Sequence, residues 1–437
     1  MGLAARPRSN VRSPAGPSSR AGGGGRYVSA GPPSPAANGS PFRKERMLRT
    51  AKRINTMIYL DNSATTRVLD SAAETAARCM QEEFFNPSSA YGPAAAAERR
   101  VNEARGRLAA TLGCQGEEII YTSGGTESNN TAILGTLRAL RGKGRIITSQ
   151  SEHPSVYEVC RLLEQQYGYE VIYLGSDCEG RVSMQALAES LTPDTALVSL
   201  MHVNNETGAV TDIAAAQALI QKHAPQAVFH VDGVQAYGKL PFSRVPCDLY
   251  SISGHKIHAP KGVGALYVHS GLRFAGGLIG GGQELGRRSG TTNTPGILGM
   301  DASVSAYRAH QGEWIAAMRA CKLRLAQNLT ALPDALINGP DPADGAPHIL
   351  NVSFLGVRGE VLLHALEQRG IYVSTGSACS THKKGKNRVL AAIGVVGARQ
   401  EGALRFSLCP FNTLGEMDEA AAEIEKQIAF LRRYQRR

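Results

Sequence analysis

Between about residues 68 and 270 the chain alternates between two hydrophobic periods, and this restricts the fold more than any other feature. Stretches with Ala, Leu and charge at a period near 3.6 lie at 94–112, 127–141, 155–167, 183–191 and 212–224. Short β-branched, apolar runs fall around them at 118–122, 145–148, 170–174, 196–201, 227–231, 249–252 and 264–268. The first kind reads as helix and the second as strand. Their alternation predicts a mostly parallel sheet covered on both faces. Residues 276–296 are rich in Gly, Ser and Thr and read as a long loop. A helical segment near 301–331 leads into a second pattern: strand 348–354, helix 358–369, strand 371–374, a polar loop, strand 403–407 and a last helix 415–434. The expected architecture is α/β, with a large domain over 68–312 and a smaller α+β domain over 313–437. The segment 57–67 is expected to pack with the smaller domain. No internal repeat is present.

The formal charge of +11 resembles a nucleic-acid signal, but its distribution argues against one. Residues 1–56 hold eleven Lys/Arg and one acid, Glu45, which leaves +1 for residues 57–437. A nearly neutral body has no broad phosphate-binding face, so no direct nucleic-acid partner is expected. The leading segment is rich in Arg, Ser, Pro, Gly and Ala and cannot bury enough surface to offset its ordering entropy. It reads as a translated upstream stretch, with Met47 or Met57 as the start. A transit peptide and a disordered tail that touches RNA or anionic lipid are the alternatives. No run approaches the length of a membrane span. The eight cysteines are scattered without Cys-x-x-Cys spacing. They read as free thiols in a reducing, cytoplasmic setting, neither a disulfide frame nor a metal site.

The residues that carry chemistry cluster where expected strands end. Lys256 follows strand 249–252, and Asp232 follows strand 227–231. A lysine amine can condense with an aldehyde cofactor, and a carboxylate can keep a pyridine nitrogen protonated. Strand 118–122 runs into Thr122-Ser123-Gly124-Gly125-Thr126, a glycine-rich turn opening a helix, whose free N–H groups suit a phosphate. A plain glycine turn capped by Thr126 accounts for the same residues. His153, after strand 145–148, can stack on a planar ring and shuttle protons, or simply cap a helix. Asn204, after strand 196–201, can donate to a ring hydroxyl or form an Asn-rich turn. Gln235 can reach the same ring edge, and Ser253 and His255 can bind phosphate. Five such signals at five strand ends together indicate a phosphate-bearing aromatic cofactor held across the sheet edge.

Two further groups lie in the smaller domain. Cys379 sits in Gly376-Ser377-Ala378-Cys379-Ser380-Thr381-His382-Lys383-Lys384, a small, polar setting followed by positive charge. Such surroundings favour thiolate, the nucleophilic form. An incidental loop cysteine is the plain alternative. Arg405 can clamp a substrate carboxylate with its fork, or make an ordinary salt bridge on a strand.

On these residues the sequence resembles the NifS/IscS type of cysteine desulfurase, in the class V aminotransferase group of fold-type I pyridoxal-phosphate enzymes. The resemblance runs from Met57 to about 430. It rests on Tyr-Leu-Asp-Asn-Ser-Ala-Thr-Thr at 59–66, the 122–130 turn, Ser-Glu-His-Pro, Val-Asn-Asn-Glu-Thr-Gly, Val-Asp-Gly-Val-Gln, Ser-Gly-His-Lys, Arg-Ser-Gly-Thr at 288–291 and Gly-Ser-Ala-Cys-Ser. It implies pyridoxal 5'-phosphate bound through Lys256, with Asp232 on the ring nitrogen and His153 stacked as acid/base. Asn204 and Gln235 would meet the ring hydroxyl, and Gly125, Thr126, Ser253 and His255 the phosphate. Thr291 would reach the phosphate of a second subunit, which implies a homodimer. Arg405 would hold the carboxylate of L-cysteine. Cys379 would take its sulfur as a persulfide for an iron–sulfur scaffold or a tRNA sulfurtransferase, releasing L-alanine. The lysine-rich stretch after Cys379 resembles members that serve tRNA thiolation, and Cys409-Pro410 stands where many relatives have Gly-Arg. A selenocysteine lyase would share fold and cofactor. An aminotransferase would not need the thiol, and a catalytically idle docking protein would not need Lys256.

Overall fold

Local chemistry sets the element boundaries. The computed structural model describes residues 57–140, 144–241, 244–376 and 387–434. In chain order the strands are β1 (Ile58–Tyr59), β2 (Ile119–Thr122), β3 (Arg145–Ser149), β4 (Val171–Leu174), β5 (Thr195–Met201), β6 (Val228–Asp232), β7 (Leu249–Ser253), β8 (Gly264–Val268), β9 (Ala335–Ile337), β10 (Ile349–Phe354), β11 (Ile371–Tyr372) and β12 (Ala403–Ser407). The helices are α1 (Asp70–Gln81), α2 (Gly92–Leu112), α3 (Gly125–Ala139), α4 (Pro154–Tyr167), α5 (Met184–Ser190), α6 (Ile213–His223), α7 (Thr294–Thr330), α8 (Gly359–Glu367), α9 (Arg388–Ala392), α10 (Gly397–Glu401) and α11 (Leu414–Tyr434). Helix α4 begins at Pro154 behind His153, whose ring caps it, and ends on Gly168 in the left-handed region. Asp212 caps α6 by accepting from the Ala215 N–H at 2.9 Å. These devices satisfy orphan backbone groups at helix ends.

Strands β2 to β8 form one sheet in the order β2-β8-β7-β6-β5-β3-β4. Strand β8 is antiparallel to both neighbours, and every other pairing is parallel. Strands β6, β7 and β8 are buried along their whole length. That explains their continuous apolar character, since a parallel sheet is covered on both faces. Consecutive residues serve opposite cores. Ile147, Val198, Phe229 and Tyr250 pack with α2 and α7. Ile146, Leu197, Val228 and Leu249 pack with α3 and α4. The mostly parallel α/β sheet covered on both faces is as expected.

A three-stranded antiparallel sheet, β12-β10-β9, has its own core. Leu350, Val352, Phe354, Leu404 and Phe406 meet Leu325 and Leu329 of α7 and Ile424 and Ile428 of α11. Ile58 and Leu60 join this core, and β1 pairs in parallel with β11. Each fully buried Leu or Phe side chain stabilises the fold by about 1.5–3 kcal/mol. Helix α7 runs unbroken past 312/313 and feeds both cores, with Ile297, Met300, Val304 and Tyr307 in one and Leu325 and Leu329 in the other.

Several elements differ from expectation. Helix α1 has no large apolar residue at helical spacing; its buried face is Ala72, Ala76 and Cys79. Helix α7 starts at Thr294, before the expected 301, because Asn293 caps it and Pro295 stands in its first turn. The short α9 and α10 fall in the stretch expected as a polar loop, and β9 was not anticipated.

The turn before α3 depends on a close backbone approach. A side chain at Gly264 would place Cβ 2.6 Å from the Ile252 carbonyl oxygen and 2.7 Å from the Gly124 Cα. Neither backbone atom can yield cheaply. Gly264→Ala is expected to lower stability by roughly 1–3 kcal/mol, read as a lower urea midpoint.

Candidate active site

A cavity of about 480 Å³ opens at the ends of the parallel strands. Open α/β sheets place ligands at the carboxyl ends of their strands. Asp232 enters it from the end of β6, His153 from the turn after β3, and Lys256 from a 3-10 turn after β7.

A hydrogen-bond chain ties the first two together. Asn129 donates through Nδ2 to Asp232 Oδ2 at 2.8 Å and to Ser155 Oγ at 2.9 Å. Ser155 Oγ lies 2.7 Å from His153 Nδ1, and the Ser155 backbone N–H donates to the same nitrogen at 3.1 Å. Nδ1 is therefore an acceptor, and the proton of the neutral ring sits on Nε2. Burial, and then the nearby Lys256 and Arg388 cations, hold the His153 pKa below its ordinary value, against the opposing pull of Asp232. The other Asp232 oxygen accepts from the Val234 N–H at 3.1 Å.

The Lys256 amine donates to the Ser63 carbonyl at 2.5 Å and the Ala64 carbonyl at 2.7 Å. Gln235 Nε2 donates to the same Ser63 oxygen at 3.0 Å. The 61–66 turn is held there by Asn62 N–H to Ser407 O at 3.1 Å and Thr66 N–H to His255 O at 3.0 Å.

Gly125 and Thr126 open α3 at the cavity wall, so their N–H groups are early-turn donors. A Cβ at Gly125 would lie 2.6 Å from Val234 Cγ2, so a larger residue there would force Val234 to shift. Ser253 is buried beside them, and His255 Nδ1 meets Thr65 Oγ1 at 3.2 Å. Burial, with Lys256, Lys261 and Lys239 nearby, lowers the His255 pKa to about 4, so its ring is neutral.

At the opposite wall Arg405 of β12 pairs through Nη2 with Asp61 at 2.8 Å and through Nη1 with Glu206 at 3.2 Å. Arg388, at the start of α9, stacks on the Tyr157 ring at 3.7 Å and donates to the Glu152 carbonyl.

Lys256, Asp232, His153, Gly125, Thr126, Gln235, Ser253, His255 and Arg405 thus line one cavity. Asn204 does not. Its amide donates to Ser151 O at 3.1 Å, and its Oδ1 accepts from the N–H groups of Glu206 and Thr207 at 2.9 and 3.0 Å. That side chain is spent on its own turn, and Asn205 faces the cavity instead. Thr291 is exposed and lies outside this cavity. Cys379 falls outside the described residues; Gly376 and Asn387, the described residues on either side of that stretch, both line the cavity. Sequence reasoning missed Asn129, Ser155, Glu152, Asp61, Glu206 and Arg388. Asn129 was legible only as the first-turn residue on the same helical face as Gly125.

Glu152 is fully buried and accepts from Ser149 Oγ at 2.7 Å and the Met201 N–H at 2.9 Å. Burial nevertheless pushes its pKa up from 4.5 to about 8. The folded state then holds more protons than the unfolded one between those values, so stability falls as pH rises through that window. Glu152→Gln should remove a penalty on the order of 3–5 kcal/mol at alkaline pH and little near pH 4. Thermal midpoints of the two proteins across this range check the sign.

The chain matches the family model "Aminotransferase class-V" over residues 58–419. It is 41% identical over 379 residues to the cysteine desulfurase of Nostoc sp., covering 86% of this chain and 94% of that protein. Among solved structures, a NifS-like protein matches with TM-score 0.80 and 36% identity, covering 86% of this chain and 100% of that one. SspA in complex with cysteine matches with TM-score 0.71 and 32% identity, over 82% of this chain and 100% of that one. Sheet order, cavity and similarity agree, and the protein belongs to the aminotransferase class-V family, among its cysteine desulfurases.

Proposed function

We propose that the cavity binds pyridoxal 5'-phosphate and L-cysteine and that Cys379 receives the sulfur. The observation that carries this reading is the meeting of Lys256, Asp232 and His153 in one cavity beside a helix N-terminus. The residues fit the cofactor. Asp232 is a buried carboxylate with capacity beyond its two hydrogen bonds, and Gly125 and Thr126, at the start of α3, line the same cavity. When bound, the cofactor supplies an electron sink that weakens the cysteine C–S bond.

Lys256, Asp232, Gln235, Ser253, His255, Gly125 and Thr126 would hold it, with Asn205 taking the role expected of Asn204. Lys256 Nζ accepts and returns the proton of the substrate α-carbon. His153 presents its Nε2 proton to the reacting groups, with the ring oriented by Ser155. Arg405 binds the substrate carboxylate. The Cys379 thiolate attacks the substrate sulfur, an S–S bond forms, and the C–S electron pair stays with carbon. Protonation of that carbon gives L-alanine, and the persulfide passes to acceptors for iron–sulfur cluster assembly or tRNA thiolation. Support for Cys379 comes also from contrast. The shifted thiols among the described cysteines are all pushed up by burial, Cys409 to about 11. We further propose a cytoplasmic homodimer with Thr291 serving the second subunit. Among the described residues no helix is long and apolar enough to cross a membrane.

With cofactor supplied, the protein should show visible absorption and release sulfide and alanine from L-cysteine and a reductant. Lys256→Ala should abolish that absorption and lower turnover at least about 10²-fold. Cys379→Ser should keep the absorption and lose the persulfide, read by intact mass. Sulfide release unchanged in Cys379→Ser would refute the nucleophile. Full activity of that variant on selenocysteine alone would favour a selenocysteine lyase.

A further inference from the structure

The Arg405 guanidinium, the group proposed to receive the substrate carboxylate, is already flanked by two carboxylates. Asp61 occupies Nη2 at 2.8 Å. Glu206 Oε1 and the Asn205 carbonyl occupy Nη1 at 3.2 and 3.1 Å. A third carboxylate entering this site meets one cation and two anions, which is strongly unfavourable in a poorly hydrated cavity. One of the two resident acids must give way.

Asp61 is partly exposed and keeps access to water, whereas Glu206 is 5% exposed. Glu206 Oε2 is buried and has no hydrogen-bond partner among the described residues. The Gly376 backbone closes over it: a Cβ there would lie 2.1 Å from Glu206 Oε2 and 2.8 Å from Asn387 Nδ2, which likewise has no hydrogen-bond partner among the described residues. The Glu206 backbone is fixed at both ends, its N–H donating to Asn204 Oδ1 at 2.9 Å and its carbonyl accepting from Asn351 Nδ2 at 3.2 Å. This side chain has little room to swing out or to hydrate. Among the described residues, the charged groups facing it are Arg405 from β12 and Asp61 from the N-terminal turn. Asn205, Asn351, Ser374, Gly376 and Asn387, which surround the same pocket, carry no charge.

We propose that Glu206 is a positioning residue of the carboxylate site that takes up one proton from solvent when an α-carboxylate ligand binds Arg405. The proposal rests on the reading of Arg405 as the carboxylate site. Neutralised Glu206 yields its share of Nη1 to the ligand, and the cluster keeps its overall charge. Burial and Asp61 raise the Glu206 pKa against the opposing pull of Arg405, which is the direction this exchange needs. Ligands without a carboxylate do not require the proton, so the exchange makes the binding of amino acids, and not of amines, depend on pH.

The test uses the cofactor-loaded protein, with L-alanine and cysteamine as probes. Calorimetry in buffers of different ionisation enthalpy counts the protons taken up with each. Wild type should take up about one proton more with L-alanine than with cysteamine, and Glu206→Gln should lose that difference. On the alkaline side the wild-type affinity for L-alanine should fall about tenfold per pH unit relative to the variant. Equal uptake for the two probes in wild type overturns the proposal, even if the variant fails to fold. Loss of the extra proton in Asp61→Asn, with Glu206→Gln retaining it, also overturns it and assigns the exchange to Asp61. Unchanged L-alanine affinity in Arg405→Lys would instead defeat the reading of the carboxylate site. Sulfide release from cysteine, measured separately, reports on the reaction itself.

Discussion

The hydrogen bonds from one amide, Asn129 Nδ2 to Asp232 and to Ser155, organise the site. Asp232 belongs to the end of β6, Asn129 to the first turn of α3, and Ser155 to the start of α4. A single side chain therefore ties three elements to one another, and the Ser155 backbone N–H sets the tautomer of His153. The parallel sheet makes this possible, because its strands end side by side and each turn delivers its polar residues to the same edge. The network is not fully satisfied, because Asn129 Oδ1 is buried with no hydrogen-bond partner among the described residues.

The same edge is electrostatically divided. Near His153 the balance is cationic, with Lys256 and Arg388 set against Asp232. Around Arg405 the balance is anionic, with Asp61 and Glu206 sharing one guanidinium. Buried groups between these regions are held neutral by desolvation, His255 as imidazole and Glu152 largely as acid up to about pH 8. Such spreading of pKa values is common where groups must exchange protons near neutrality.

Much of this was legible in the sequence. The apolar runs of β2, β6, β7 and β8 are bounded closely by sequence because those strands are buried along their whole length and the apolar signal is continuous. The site residues that stand at strand ends were found for the same reason. What was missed has physical causes. Helix α1 buries only small residues, and β9 and α10 are too short to carry a period. Asn204 and Asn205 are identical in chemistry, and only the turn geometry decides which of them faces the cavity. Glu206 and Asp61 meet Arg405 from positions 199 and 344 residues away, and no local pattern reports such a pair.

The N-terminal turn that accepts from Lys256 is anchored by Ser407, 345 residues away, and β1 is anchored by β11. During synthesis these first residues have no seat until nearly the whole chain has left the ribosome. Contacts of such sequence separation form late. The lysine therefore gains its carbonyl partners only at the final stage of assembly, and an incomplete polypeptide has the pieces of the site without its closing wall.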